Sequence, residues 1–433
     1  MRKMESKPVT TEALLERRYR LLGKNAPLFY NEPVHIVRGE NVWLYDADGK
    51  KYLDVYNNVP NVGHCHPHVV EALSKQAGTL NVHTRYLHET ILEYGERLTA
   101  TFDDSLSMLF LTCTGSEANE IALRMARSHT GGQGIICTNA TYHGNTTAVD
   151  ALATLFNDGT PNGPDVKAVD FPCAYRPVDG LNGEALADAY VAQVQRAIEE
   201  FKEEGVGFAG MLVCPIFANE GLPDVPDGYM KKIAALVREA GGLLMFDEVQ
   251  SSFGRTGRMW GHEYAGVVPD IVTLGKPMGN GHPLAGAVCR ADLGNEFRER
   301  VMYFNTFGGN PVSCAVGLAV LEVIERENLV ENSRTVGEYL KARLRSLADK
   351  YELIGDVRGC GLFFGVELVT DRQTKTPAVE MTGQIVNRMK ERGVLISKIG
   401  VHDNILKMRP PVCFGMKHAD LLLENLEATF AEM

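Results

Sequence analysis

The sequence predicts an α/β fold, with a mainly parallel central sheet flanked by helices and a smaller, discontinuous α+β domain. Three observations predict it. Short apolar runs alternate with helix-spaced segments from about residue 86. Each run ends in polar or glycine residues, the pattern of strands buried on both faces. Both ends of the chain instead mix short strands with helices, as an α+β lobe does. The division expected is 1–75 as an N-terminal segment of the small domain, 76–325 as the large domain and 326–433 as the rest of the small domain.

The elements follow in order. Residues 10–22 (TTEALLERRYRLL) form a capped helix with Thr10 or Thr11 as N-cap and Glu12 in the first turn. Residues 34–54 form two short strands about a turn at Asp48-Gly49. Helical spacing marks 88–100 and 117–128. Buried strands are expected at Met108–Thr112, Gly134–Thr138, Met211–Cys214, Gly242–Phe246 and Ile271–Leu274. A long helix at 311–327 leads out of the large domain, and helix, strands, helix, strand and helix complete the chain.

Composition narrows the function classes. In 433 residues there are 44 Lys and Arg against 55 Asp and Glu, a net charge of −11. Nonspecific nucleic-acid binding needs the opposite balance. No apolar stretch approaches the ~20 residues of a membrane span. Nine scattered cysteines suggest reduced thiols rather than a disulfide framework. Met1 to Thr11 is charged and lacks an apolar signal core, so the cytoplasm is the expected compartment.

Four segments carry chemistry. In Asp270-Ile271-Val272-Thr273-Leu274-Gly275-Lys276 a strand delivers a lysine to the end of a sheet, where ligands gather. A partly neutral lysine there can form a Schiff base with an aldehyde cofactor, although taken alone it reads better as a surface lysine. In Leu243-Leu244-Met245-Phe246-Asp247-Glu248-Val249-Gln250, Asp247 ends another strand. It could stabilise a protonated ring nitrogen or cap the next loop. Gln250 could reach a ring hydroxyl. In Thr112-Cys113-Thr114-Gly115-Ser116-Glu117-Ala118-Asn119 a small-residue turn opens a helix. Gly115 and Ser116 there suit a phosphate, and a plain capping box (Thr114 to Glu117, or Ser116 to Asn119) is the alternative. The fourth segment, Tyr142-His143-Gly144, offers an aromatic that can stack on a planar ring.

Taken in order, these segments resemble the class III (ω-type) aminotransferases of pyridoxal phosphate (PLP) fold type I, near their alanine–glyoxylate aminotransferase and ethanolamine-phosphate phospho-lyase branch. The matching stretches are Gly63-His64-Cys65-His66-Pro67, TGSEANEIALRMAR at 114–127, Tyr142-His143-Gly144, DEVQSSFGRTG at 247–257, TLGK at 273–276 and NTFGGNP at 305–311. Gly359-Cys360-Gly361-Leu362 and Arg409-Pro410-Pro411 extend the match to nearly the whole chain. The resemblance implies pyridoxal 5'-phosphate as cofactor and Lys276 as Schiff-base lysine and proton shuttle. It pairs Asp247 with the ring nitrogen and Gln250 with the ring oxygen. Gly115 and Ser116 would bind the phosphate, and Tyr142, with His143 beside it, would cover the ring. It also implies a homodimer with shared active sites, Thr306 reaching the partner's phosphate. The reaction would be ping-pong, between a small-molecule amine donor and a keto-acid acceptor.

Three patterns carry no function. His64, Cys65, His66 and His68 lack zinc-site spacing, so no metal is expected. Gly275, Gly279 and Gly281 cannot form a dinucleotide fingerprint, because Pro277 and Pro283 oppose the helix it requires. Glu12, Arg17, Arg18 and Arg20 read as a solvated helix face.

The substrate is bounded by what the chain lacks. Members of the family that use glutamate often carry Glu-x-x-Gln before the Asp strand and an arginine three residues before the Pro-Pro pair. Those positions here hold Cys214, Phe217 and Lys407. Phenylalanine cannot replace an amide, nor lysine a bidentate fork. Pyruvate or glyoxylate is therefore expected to outdo 2-oxoglutarate as acceptor. Arg409, Lys407 and Arg85 are candidates to anchor a substrate anion, and Tyr56, Asn57, Asn58 and Tyr86 to line its pocket. The competing expectations are a PLP-dependent phospho-lyase acting on an amino-alcohol phosphate, and a catalytically silent binding protein.

Overall fold

The computed structural model describes residues 10–156 and 163–433. The large sheet has seven strands in the order β4-β10-β9-β8-β7-β5-β6. In chain order these are β4 (Leu106–Thr112), β5 (Gly134–Thr138), β6 (Val166–Val169), β7 (Phe208–Val213), β8 (Leu243–Asp247), β9 (Ile271–Leu274) and β10 (Ala285–Arg290). Strand β10 runs antiparallel to β4 and β9, and the other pairings are parallel.

Side-chain alternation divides this sheet into two faces. Ile135, Met245 and Ile271 pack with Ile121, Leu123 and Met125 of helix Gly115–Thr130. Ile136, Leu244 and Phe246 pack the opposite way, against helices Gly183–Glu203 and Tyr229–Glu239. Val272 and Leu274 meet helix Pro311–Arg326.

Three strands precede the large sheet: β1 (Ile36–Glu40), β2 (Trp43–Asp46) and β3 (Lys51–Asp54). The two expected at 34–54 are thus corrected to three, because Asn41 adopts a left-handed φ of 53° and turns the chain. After the large sheet come β11 (Ile354–Cys360), β12 (Phe363–Asp371), β13 (Thr376–Pro377), β14 (Val394–Leu395), β15 (Ser397–Ile399) and β16 (Ile405–Met408). Strand β14 pairs in parallel with β3. Val42, Leu53 and Val55 consequently share a core with Leu340, Leu406, Met408 and Leu422. Val62 and Val69, by contrast, pack with Val316 and Val320 against the large sheet.

The helix expected at 10–22 spans Thr11–Leu22, with Thr10 accepting from the Ala13 N–H. That expected at 117–128 begins two residues earlier, at Gly115. No helix among the described residues is long and apolar enough to cross a membrane.

Candidate active site

Strands β4, β5, β7, β8 and β9 run the same way, so their carboxyl ends meet at one edge. Asp247 is the last residue of β8 and lies in register with Thr273 on β9. Alternation turns Asp247 to the same face as Met245, and Thr273 to the face of Ile271. Both therefore point at helix Gly115–Thr130, where they meet Asn119. Thr273 Oγ1 donates to Asn119 Oδ1 at 2.5 Å, and Asn119 Nδ2 donates to Asp247 Oδ2 at 3.0 Å and to the His143 carbonyl at 2.7 Å. His143 Nδ1 lies 2.7 Å from Asp247 Oδ2, and Asp247 Oδ1 accepts from the Val249 N–H at 2.9 Å. Burial alone would raise the Asp247 pKa. The His143 hydrogen bond and charge, the Val249 N–H and the charge of Lys276 outweigh it, and hold the carboxylate below its ordinary value.

Lys276 follows β9 by two residues and its side chain is open to solvent. Desolvation by the surrounding recess lowers its pKa, and the Arg409 charge lowers it further against the opposing pull of Asp247. Both influences favour the neutral, nucleophilic amine.

The turn into helix Gly115–Thr130 is a capping box between Thr114 and Glu117. Glu117 Oε2 also accepts from the Cys113 N–H at 2.9 Å. The Gly115 and Ser116 N–H groups, which a helix cannot satisfy internally, remain directed out of the N-terminus. Side chains are excluded around them. A Cβ on Gly115 would lie 2.8 Å from Val249 Cγ2, and one on Gly144 would lie 2.5 Å from Ser116 Oγ. The capping reading and the phosphate reading of this turn are therefore compatible.

Together these groups fit pyridoxal phosphate. Lys276 would offer an amine, Asp247 an acceptor for the ring nitrogen, and Gly115 and Ser116 donors for the phosphate. Half-buried Tyr142, whose carbonyl accepts from Asn219 Nδ2 at 3.0 Å, flanks the same edge.

Gln250, expected at the ring oxygen, is held at both ends. Its Oε1 pairs with Arg409 Nη1 and its Nε2 donates to Asn219 Oδ1 at 3.0 Å. Arg409 Nε also donates to the Tyr56 carbonyl at 2.9 Å, and its guanidinium stands 4.8 Å from the Tyr56 ring centre. On β16, Leu406 and Met408 enter the small-domain core, which turns Lys407 to the other face of the strand. Lys407 is only 5% exposed. Burial, Arg409 and Lys276 push its pKa well down, against Cys214 and Glu220. Asn58 is buried near these residues in sequence, and its Nδ2 has no partner among the described residues.

Other expected residues fall outside this group. Arg85 stacks on Phe304, its guanidinium 3.7 Å from the ring centre, and Tyr86 stacks on His83 at 5.2 Å. Thr306 lies exposed on a loop that Asn305 ties to Glu117 at 3.0 Å. His64, His66 and His68 each face a different carboxylate, on Asp54, Glu327 and Glu322.

Sequence reasoning passed over Asn119, Asn219, Glu220 and Thr273. Asn119 had one signal, a polar residue amid Ala118, Ile121 and Ala122 on the buried face of its helix. Glu220 is 3% exposed, accepts from Thr138 Oγ1 at 2.7 Å and has its Oε2 unpartnered among the described residues.

The chain is similar to known proteins over nearly its whole length. The family model for class III aminotransferases matches residues 28–430. Alanine–glyoxylate aminotransferase 2 homolog 2, mitochondrial, of Arabidopsis thaliana is 40% identical, with 98% of this chain and 88% of that protein covered. Ethanolamine-phosphate phospho-lyase homolog 1 of Caenorhabditis elegans is 38% identical, covering 96% of this chain and 92% of its own length. A solved phospholyase from Arthrobacter, in complex with phosphoethanolamine, superposes with a TM-score of 0.94 at 47% identity, over 97% of this chain and 100% of its own.

Proposed function

The chain belongs to the class III aminotransferases, and from that premise we propose that it moves an amino group from a small amine or amino acid to a keto acid. It does so by a ping-pong reaction at Lys276. Bound pyridoxal phosphate supplies the aldehyde and the electron-withdrawing ring. The observation that carries the reading is the pairing of Lys276 and Asp247 on neighbouring strand ends, each biased toward the state this chemistry needs.

In this reading Lys276 Nζ first holds the cofactor, then carries the proton removed from the substrate carbon. Asp247 keeps the ring nitrogen protonated. Gly115 and Ser116 hold the phosphate, and Tyr142 covers the ring with His143 behind it. Lys407 and Arg409 receive the anionic end of the substrate beside Tyr56 and Asn58. Arg85 and Tyr86 take no part within one protomer. Gln250 acts through Arg409. Buried Phe217, with a left-handed φ of 48°, stands at the amide position of glutamate-using members. Pyruvate or glyoxylate is then the better acceptor. Mixing the aminated enzyme with each acceptor in a stopped-flow instrument tests this, and faster return of the aldehyde spectrum with 2-oxoglutarate would contradict it.

A second reading is favoured by the crowding of cations. The Arg409 charge lowers the pKa of both Lys276 and Lys407, and Lys276 lowers that of Lys407, as cations crowded in one recess do. A dianionic phosphate would offset them better than a monoanionic carboxylate. The similar Arthrobacter phospholyase holds phosphoethanolamine. A phospho-lyase would release inorganic phosphate and ammonia from phosphoethanolamine with no keto acid present. Release only when a keto acid is supplied would exclude it.

The proposed organisation is a large domain over 76–325 and a small one from 1–75 and 326–433, supported by the β3–β14 pairing. A homodimer, with Thr306 serving the partner's phosphate, is supported by the exposed apolar residues Tyr86, Leu87, Met302 and Phe307 on segments flanking the site. A reducing compartment such as the cytoplasm suits the nine unpaired cysteines, although three relatives carry "mitochondrial" in their names.

A further inference from the structure

We propose that Asn119 is a positioning residue. It orients the Asp247 carboxylate so that one acceptor direction of Oδ1 remains for the cofactor's ring N–H. The inference rests on Asp247 as the ring-nitrogen partner and extends that reading to a residue on another element.

An ionised carboxylate offers about four lone-pair directions. Oδ2 of Asp247 receives His143 Nδ1–H at 2.7 Å and Asn119 Nδ2–H at 3.0 Å, and Oδ1 receives the Val249 N–H at 2.9 Å. Three directions are therefore filled by donors on three separate segments, and the fourth lies on Oδ1. The carboxylate cannot rotate about its Cβ–Cγ bond without breaking all three bonds.

The orientation of the Asn119 amide is itself determined. Its oxygen accepts from Thr273 Oγ1 at 2.5 Å, while its nitrogen faces two acceptors, the His143 carbonyl at 2.7 Å and Asp247 Oδ2. A flipped amide would set oxygen against both acceptors and nitrogen against the hydroxyl. Asn119 is fully buried, as are Thr273 and the backbone it ties. Water cannot substitute for these bonds at low cost. One side chain thus joins strand β9, the carboxylate ending β8 and the segment after β5. The strand-end cross pair Asp247–Thr273 is what makes this possible.

The test uses full-length apoprotein and 4'-deoxypyridoxine 5'-phosphate, a probe that has the ring nitrogen and phosphate but no aldehyde and so is independent of Lys276. Binding is followed by titration, and ring-nitrogen protonation by the 15N shift of labelled probe against pH. Asn119→Asp is nearly isosteric but turns an acceptor toward Asp247. It is expected to bind the probe about tenfold more weakly, the scale of one hydrogen bond to a charged group. It should also release the ring proton at a lower pH than the parent. Thr273→Val, which frees the amide to flip, should shift the ring titration in the same direction by less, and it serves if Asn119→Asp fails to fold. Asp247→Asn is run in parallel. If it moves the ring titration while both other variants titrate like the parent, Asn119 has no positioning role. If Asp247→Asn also leaves the titration unmoved, the assignment of Asp247 itself fails.

Discussion

Lys276 lies close enough to lower the affinity of Lys407 for protons, yet the two do different work, and substitution separates them. Lys276→Ala is expected to bind the cofactor noncovalently and to lose at least about 10³-fold in turnover, since nucleophile and base go together. Cofactor spectra and steady-state rates check this. Lys407→Met should leave the cofactor spectrum intact and raise KM for anionic substrates about tenfold or more, the scale of a charged hydrogen bond. It should also stabilise the apoprotein at neutral pH. The folded pKa of Lys407 lies below that of an unfolded lysine, so between the two values the unfolded chain binds more protons and stability rises with pH. The cost is complete below the folded pKa and fades as pH climbs to the unfolded one. Melting of Lys407→Met should therefore start higher at pH 7 and depend less on pH up to about 10. At this scale Lys276, Asp247, Gly115 and Ser116 could be singled out because each sits at or just past the end of a recognisable strand. Asn119 and Glu220 were not, since their roles depend on partners distant in sequence, Thr273 and Thr138.

Secondary-structure elements carry the site by alternation and by buried ties between them. Arg255, just beyond Asp247, is 1% exposed. It donates to the carbonyls of Leu362, at 2.9 Å, and Pro410, and to Asn61 Oδ1 at 3.0 Å. Burial and the nearby charge of Arg409 pull its pKa down to about 9. It thus bonds to segments close to β11–β12 and β16, and to the loop after β3. Arg255→Ala strands three acceptors and is expected to cost roughly 3–5 kcal/mol in urea denaturation. A cost below about 1 kcal/mol would show that these ties matter little. Gly134–Thr138 and Ile271–Leu274 were read to the residue because uninterrupted apolar runs mark them. Strands β6 and β10 were missed for physical reasons. Val166–Val169 is an edge strand interrupted by Lys167, and Ala285–Arg290 is an antiparallel strand of small residues, AGAVCR. Strand β16 was legible only as the motif KMRPP. Its alternation, which sends Lys407 away from Leu406 and Met408, needed the sheet.

The molecule as a whole was legible in outline: an apolar alternating centre and mixed flanks give an α/β fold with a mostly parallel sheet. The parallel pairing of β3 with β14 joins strands about 340 residues apart, and no local pattern marks it; only the joining of the N-terminal segment to the C-terminal lobe was expected. The proposed dimer is a prediction at this scale. Leu87 is 97% exposed and Phe307 70%, and carboxylates there should weaken association. Leu87→Glu with Phe307→Glu is expected to sediment as a monomer that binds pyridoxal phosphate poorly, whereas the parent sediments as a dimer. The whole account depends on where the cofactor is joined to the chain. Borohydride reduction of the holoenzyme, followed by tryptic mapping, answers that directly. Trypsin spares a lysine before proline, so the peptide expected to carry the reduced phosphopyridoxyl group is Met259–Arg290, with the modification on Lys276. A label on any other lysine, or no label in an enzyme that has lost its visible band, would contradict it.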